Sequence, residues 1–283
     1  MGTWVTIHAA AAAQPAVKSA IDRAFQWFYQ IEELCTRFNP ESELMQLTTQ
    51  IGVPVEASDI LYQSVQFALM VAEESGGAFD PTVGHRMESS GFNREHRTGN
   101  IVQTQIVPET TVTYRDVHLD PDRKTITLQR PLLLDLGSVA KGLAIDTATR
   151  ELQAVTDNFT IDAGGDLYLG GHNPHGAPWS VGIRHPRIDR QLIDTLSASN
   201  QAVCTSGDYE RGQHVIDART GSPATGVSSA TVVAPSAMLA DALATAAFVL
   251  GPAAGIQLLS RLGVQGLLIT PELERYETPG LRG

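Results

Sequence analysis

Asp241-Ala-Leu-Ala-Thr245 places a carboxylate and a hydroxyl four residues apart in an Ala-rich stretch that reads as a helix, so both oxygens share one face. Well upstream, Asp135-Leu-Gly-Ser-Val-Ala-Lys141 sets a carboxylate and an amine around a Gly-Ser turn. There an apolar run, Pro131 to Leu136, gives way to a helix. Oxygen donors beside a turn with free backbone groups suit a hard cation such as Mg²⁺ next to a phosphate. Each segment also has a plainer reading. Asp135 can cap a helix, Lys141 can be solvated, and Thr245 can bond back to a carbonyl.

Other polar clusters follow the same logic. Phe79-Asp-Pro-Thr-Val-Gly84 comes just after a Gly-Gly helix stop, and Pro81 holds Asp80 extended, free to accept from a ligand or to make an Asx turn. Asp162-Ala-Gly-Gly-Asp166 lets backbone approach closely, although a tight hairpin needs nothing more. Thr205-Ser-Gly-Asp-Tyr-Glu-Arg211 leads to His214-Val-Ile-Asp217 and Arg219-Thr-Gly221. His214 then opens a short apolar strand, as a base or as a hydrogen-bonded structural residue. Arg219 can clamp a phosphate or serve the turn.

These groups need a scaffold, and the hydrophobic pattern supplies one. Helices are expected over Val17 to Cys35, Ser58 to Ser75, about Ser138 to Val155, Ser236 or Met238 to Leu250, and Ala254 to Leu262. Glu43 to Thr48 reads as a short helical turn. Strands are expected near residues 3–8, 112–119, 124–128, 132–135, 159–163, 166–169, 179–184, 192–197, 202–206, 213–217, 230–234 and 266–270. Residues 86–110 read as a polar surface excursion. Most strands have hairpin-like neighbours, so the expected class is α+β: a mixed, largely antiparallel sheet with flanking helices, in one unit spanning 1–283.

The bulk properties bound the function. A formal charge of −11 argues against a nucleic-acid backbone as partner. No apolar run reaches the ~20 residues needed to span a bilayer. Cys35 and Cys204 form no metal or redox pattern, and Cys35 reads as a buried apolar side chain. No signal peptide is visible, so the chain as written is expected in the cytoplasm. A removed N-terminal signal would make it periplasmic or a membrane-anchored lipoprotein.

The order of motifs is more specific than any one of them. Met-Gly-Thr at the start is followed by Arg37-Phe-Asn-Pro-Glu-Ser-Glu-Leu, Phe-Asp-Pro-Thr-Val-Gly and Asp-Leu-Gly-Ser-Val-Ala-Lys-Gly. Then come Gly-Gly-Asp, Thr-Ser-Gly-Asp-Tyr, His-Val-Ile-Asp-Ala-Arg-Thr-Gly and Ala-Asp-Ala-Leu-Ala-Thr. This series resembles the ApbE family of FAD:protein FMN transferases from Met1 to about Thr270. The resemblance implies an enzyme that binds FAD and uses Mg²⁺ to split its pyrophosphate. It moves FMN onto a Thr or Ser hydroxyl of an acceptor protein and releases AMP. By motif match, Met1, Phe38, Ala78, Phe79, Asp80, Asp135, Lys141 and Val215 would line the FAD site. Ser138 (through its carbonyl), Asp241 and Thr245 would hold the metal, and His214 would be the general base. Phe38 stands where a Tyr is frequent in the family. Two other readings share these residues: a Mg²⁺-dependent FAD pyrophosphatase giving FMN and AMP, and a non-catalytic flavin-binding protein. The family's acceptor motif, Asp-Gly-x-Ser/Thr-Gly-Ala-Ser/Thr, does not occur in the chain, so self-flavinylation is not expected.

Overall fold

A computed structural model describes residues 2–10, 13–96, 98–104, 106, 111–212 and 214–281, the side chains of 210 and 211 excepted. Met1 lies outside the described residues. The first half runs β1 (Val5–Ala9), α1 (Pro15–Cys35), α2 (Glu43–Leu47), β2 (Val55–Glu56), α3 (Asp59–Glu74), α4 (Gly84–Ser89), β3 (Val117–Asp120), β4 (Thr125–Leu128) and α5 (Gly137–Gln153). The second half opens with β5 (Phe159–Ala163), β6 (Asp166–Gly170), β7 (Trp179–Arg184), β8 (Leu192–Ala198), β9 (Gln201–Gly207) and α6 (Asp208–Arg211). It closes with β10 (Ile216–Asp217), β11 (Ser222–Pro223), β12 (Ser229–Ala234), α7 (Ala237–Leu250), α8 (Pro252–Arg261), β13 (Gln265–Ile269) and β14 (Arg275–Glu277).

The main sheet has seven strands in the order β1-β5-β6-β9-β12-β13-β14, and every pairing in it is antiparallel. The α+β expectation therefore holds. Gly164 and Gly165 make the two-residue β5–β6 turn, both with positive φ (69° and 94°), as a tight hairpin with the right twist requires. Helices α5 and α7 cover one face of the sheet, with α1 and α3 behind them. The β7–β8 hairpin covers part of the other, where Leu169, Val181, Ile183, Leu196, Val203 and Val233 form a second core.

Local sequence explains the helix ends. Ser58 accepts from the Leu61 amide to start α3, and Ser236 does the same for Leu239 in α7. Pro15 at the first turn starts α1 two residues before the apolar pattern does. The buried stripe of α1 is Val17, Ala20, Ala24, Phe28, Ile31 and Cys35. Small residues there let α1 lie close to α5.

Helix α5 meets α7 at Gly142. A Cβ on Gly142 would sit 2.5 Å from the Met238 nitrogen, so only glycine permits the crossing. One turn on, Asp146 accepts from the Ala237 and Met238 amides at 2.6 and 3.0 Å, filling the donors at the start of α7. The two segments that carry the oxygen donors are locked together by these contacts.

Four sequence expectations need correction. Residues 132–134 are fully buried, and 132–135 pair with no strand; Asp135 N donates to Pro81 O and Gly84 N to Leu133 O. Residues 114–116 form a 3₁₀ turn closed by a Thr113–Asp116 capping box, so the strand begins only at Val117. Gly84–Ser89 is helical inside what read as an excursion. His214 and Val215 precede the short strand β10, which holds only Ile216 and Asp217.

Candidate active site

One cleft of about 480 Å³ gathers the chemistry-bearing residues from every part of the chain. Phe38, Ala78, Phe79, Asp80, Asp135, Ser138, Lys141, His214, Val215, Asp241 and Thr245 all line it. Of the residues singled out in the sequence, Met1 alone is undescribed, and its neighbours Gly2 and Thr3 are in the wall.

The floor is an oxygen cluster at the α5–α7 crossing. Thr245 Oγ1 donates to Ser138 Oγ at 3.1 Å and lies 3.1 Å from Ser206 Oγ on β9. Asp241, one turn before Thr245 on α7, is 4% exposed. Lys141 Nζ lies 3.4 Å from Asp241 Oδ2 and pairs directly with Asp166 Oδ2. Asp166 is itself buried, and its other oxygen accepts from Thr205 N at 3.1 Å. Burial opposes the charge on Lys141, but the Asp166 and Asp241 carboxylates outweigh it and raise the pKa above the ordinary lysine value. The amine therefore stays protonated.

Among the described residues, no group of three or more His, Cys, Asp or Glu is placed to hold a metal. The donors here are instead hydroxyls around one buried carboxylate. That set suits a hard divalent cation that takes the rest of its coordination from water and a ligand's phosphates. A thiophilic metal has no partner in it, because Cys204 Sγ is buried under the floor and bonded to Ala237 O. Burial, and then the nearby Asp166 and Asp241, raise the Cys204 pKa well above the usual thiol value. Cys204 is a buried packing residue.

The left wall joins α1 to the segment before α5. Arg37 is 6% exposed; its Nε donates to Asp135 Oδ2 at 2.6 Å, and its guanidinium lies 4.3 Å from the Phe38 ring centroid. It also donates to Phe92 O. Asp135 Oδ1 accepts from Gly137 N at 2.9 Å, so this carboxylate orients the start of α5 while facing the cleft. Asp80 is equally committed: Oδ1 accepts from Thr82 N and Oγ1, and Oδ2 from Tyr114 N. Burial raises its pKa despite those bonds. The Asx-turn reading of Asp80 is thus realised, at a position that still lines the site.

The roof carries His214. Its Nδ1 lies 3.0 Å from Gly212 O, and a carbonyl can only accept, so Nδ1 is the donor in this contact. The ring meets Phe92 edge-on, with centroids 6.2 Å apart. The roof is tied down on both sides. Arg86 of α4 donates to Ala218 O at 2.8 Å, and Asp217 binds Arg219 through both its oxygens. Arg219 is therefore a turn residue. Glu88 holds Thr104 by its amide and hydroxyl, fixing the loop that presents Phe92.

Sequence reasoning about single positions passed over Arg37, Phe92, Asp166 and Ser206. Arg37, Asp166 and Ser206 sit inside motifs that were legible, so the signal was present. Their roles depend on partners that no local pattern reveals.

A buried lysine between two carboxylates, a hydroxyl cluster on one wall and a histidine on another mark an enzyme-type cleft in an antiparallel α+β scaffold. The ApbE family model matches residues 1–268, and the chain belongs to that family. It is 33% identical to an FAD:protein FMN transferase of Treponema pallidum over 94% of this chain and 81% of that one. It is 31% identical to one of Haemophilus influenzae over 76% and 67%. Its fold superposes on the ApbE protein of Thermotoga maritima with a TM-score of 0.86 at 28% identity, covering 98% and 94% of the two chains. For the flavin transferase ApbE of Vibrio cholerae the TM-score is 0.85 at 25% identity, covering 99% and 95%.

Proposed function

We propose that this protein transfers FMN from FAD to a Thr or Ser hydroxyl of an acceptor protein, releasing AMP. The observation that carries the reading is the convergence of Asp241, Thr245, Ser138, Lys141 and His214 on one cleft. The names of the relatives support it. FAD would lie along the wall formed by Phe38, Ala78, Phe79, Asp80, Asp135 and Val215.

In the reaction, the acceptor oxygen attacks the phosphorus of the FMN half. A new P–O bond forms, the bridging P–O bond breaks, and AMP leaves with the electron pair. A neutral alcohol is a weak nucleophile, so its proton must go to a base within hydrogen-bond reach. His214 Nε2 bears the lone pair for this, and Gly212 O steadies the imidazolium that results. Lys141 is the permanent positive charge at the pyrophosphate, held in place by Asp166 and Asp241. Mg²⁺ held by Asp241, Thr245 and Ser138 would neutralise the charge that builds on the phosphate oxygens. The Phe92 and Phe38 rings exclude water from the cleft edges.

The test is incubation with FAD and Mg²⁺, with and without a peptide bearing the family's acceptor motif. Covalent flavin on the peptide together with AMP supports transfer. AMP at the same rate without peptide identifies an FAD pyrophosphatase, and bound FAD with no AMP identifies a flavin-binding protein.

A further inference from the structure

The roof of the cleft grows out of its floor. Strand β9 carries the floor hydroxyl of Ser206 and ends at Gly207; α6 then begins at Asp208, and His214 follows six residues later. Ser206, Gly207 and His214 all line the cleft, so the joint between floor and roof lies at Gly207 and Asp208. A side chain from outside the cleft grips that joint. Arg187 stands in the connection between β7 and β8, and among the described residues none of that hairpin or its connection lines the cleft. Its guanidinium binds Asp208 as a fork, Nη1 to Oδ1 at 2.7 Å and Nη2 to Oδ2 at 2.8 Å. Nη2 also donates to Ser228 Oγ at 2.6 Å, while Asp208 N donates to Ser228 O at 3.1 Å. Asp208 is thereby tied twice to Ser228, a fully buried residue at the foot of β12. The connection is shaped to present the arginine, since His185 Nδ1 accepts from the amides of Arg187 and Ile188 at 3.1 and 3.2 Å. Beside it, the Arg184 guanidinium lies 5.6 Å from the Tyr209 ring centroid. A Cβ on Gly207 would sit 2.6 Å from Cε1 of that ring, so glycine lets the ring fold back over the joint.

Resting on the transferase reading above, in which His214 takes the acceptor's proton, we propose that Arg187 is a positioning residue for His214. Through Asp208 it sets how the imidazole stands over the floor. The ring's own partner, Gly212 O, lies two residues back in the same segment. That contact orients the ring within the roof and leaves the roof's placement over the floor to the ends of the segment. Beyond His214, Val215 O accepts from Ala224 N, and Arg86 holds Ala218 O. Before it, the hold is Asp208 on Ser228 and Arg187. A planar fork with two charge-assisted bonds fixes direction as well as distance, which a single amine does not. The two side chains are 40% and 25% exposed, so the pair adds little to global stability. What it supplies is geometry. Proton transfer needs the base within hydrogen-bond reach, and a displacement of about 1 Å can cost about a hundredfold in rate.

The experiment measures single-turnover labelling of a synthetic peptide containing Asp-Gly-x-Thr-Gly-Ala-Thr, with FAD and Mg²⁺, by wild type, Arg187→Ala, Arg187→Lys, His214→Ala and the double variant Arg187→Ala/His214→Ala. Arg187→Ala should slow labelling roughly ten- to a hundredfold while FAD affinity, the KM for the peptide and the melting temperature stay close to wild type. Arg187→Lys should recover only part of the rate, because one amine cannot reproduce the fork. In the His214→Ala background the Arg187 change should have no further effect, since two residues that act as one unit are not additive. A wild-type rate in Arg187→Ala, or losses that multiply in the double variant, overturns the proposal. Should Arg187→Ala fold poorly, Asp208→Asn breaks the same fork from the other side and carries the same comparison. Hydrogen–deuterium exchange of the unliganded protein gives a readout independent of turnover. Faster exchange in Arg187→Ala confined to α6 and β10 is expected; unchanged exchange there, or equal loosening of β7 and β8, overturns the proposal. If wild type labels no peptide, the transferase reading fails by itself, and the exchange result still decides whether Arg187 holds the roof.

Discussion

Gly142 and Met238 touch backbone to backbone where α5 crosses α7, and the crossing sets the separation of Lys141 from Asp241 at 3.4 Å. Lys141, one residue from the contact, and Asp241, three from it, thus inherit their geometry from a missing methyl group. Gly142→Ala should force the helices apart, destabilising the fold by about 3 kcal/mol, the upper range for overpacking. FAD affinity should fall with it. Chemical denaturation and flavin fluorescence titration check both. A variant as stable as wild type would mean that the helices slide without cost.

Asp241→Asn keeps the shape of the side chain and removes its charge. AMP release at limiting Mg²⁺ should drop by at least about a hundredfold, since one anionic oxygen is a large share of what holds a hard cation. FAD binding should change much less, because Asp166 still holds Lys141 and the ring-binding wall is elsewhere. Normal turnover at limiting Mg²⁺ would remove Asp241 from the metal site.

His214→Ala should slow single-turnover labelling of an acceptor peptide by roughly 10² to 10⁴, the range for a lost general base. The ring is only partly buried, so the melting temperature should scarcely move. A variant that keeps its rate and melts early would assign His214 to structure.

Arg37→Ala removes one partner of an ion pair whose side chains are 5% and 17% exposed. It strands Asp135 and the Phe92 carbonyl together. A loss of about 3 kcal/mol in unfolding free energy is expected. Urea titration measures it, and Arg37→Lys should recover only part because a single amine cannot reach both acceptors.

The Arg219 hydrogen bonds, opposed by burial, hold the Asp217 carboxyl below the usual Asp range. A depressed folded-state pKa contributes stability above the unfolded value, lost as pH falls through the folded one. Asp217→Asn should therefore lower Tm at pH 7, by about 2 °C for an interaction under 1 kcal/mol. The gap to wild type should close as the pH is brought down through and below the ordinary Asp range. A constant gap would locate the effect in the turn's shape.

Where caps and stops were written locally, the sequence could be read closely. Ser58 with Gly76-Gly77 bounds α3, and Ser236 with Gly251-Pro252 bounds α7. Leu132 to Asp135 misled because a short apolar run looks the same in a buried strand and a buried connector, and its partners, Pro81 and Gly84, lie some fifty residues away. His214 was legible as a chemical group, but its ring partner, the Gly212 carbonyl, lies outside the span that alternation marked as a strand. Arg37 and Asp135 stand 98 positions apart, and only the fold makes them one unit.

The cleft draws its walls from Gly2 through Thr245. No contiguous fragment holds enough of it to bind, so the nascent chain has no use for flavin until nearly all of it has emerged. Ligand can reward only the finished structure. It should leave the folding rate alone and lengthen the lifetime of the native state, acting as a late-fitted lock on unfolding.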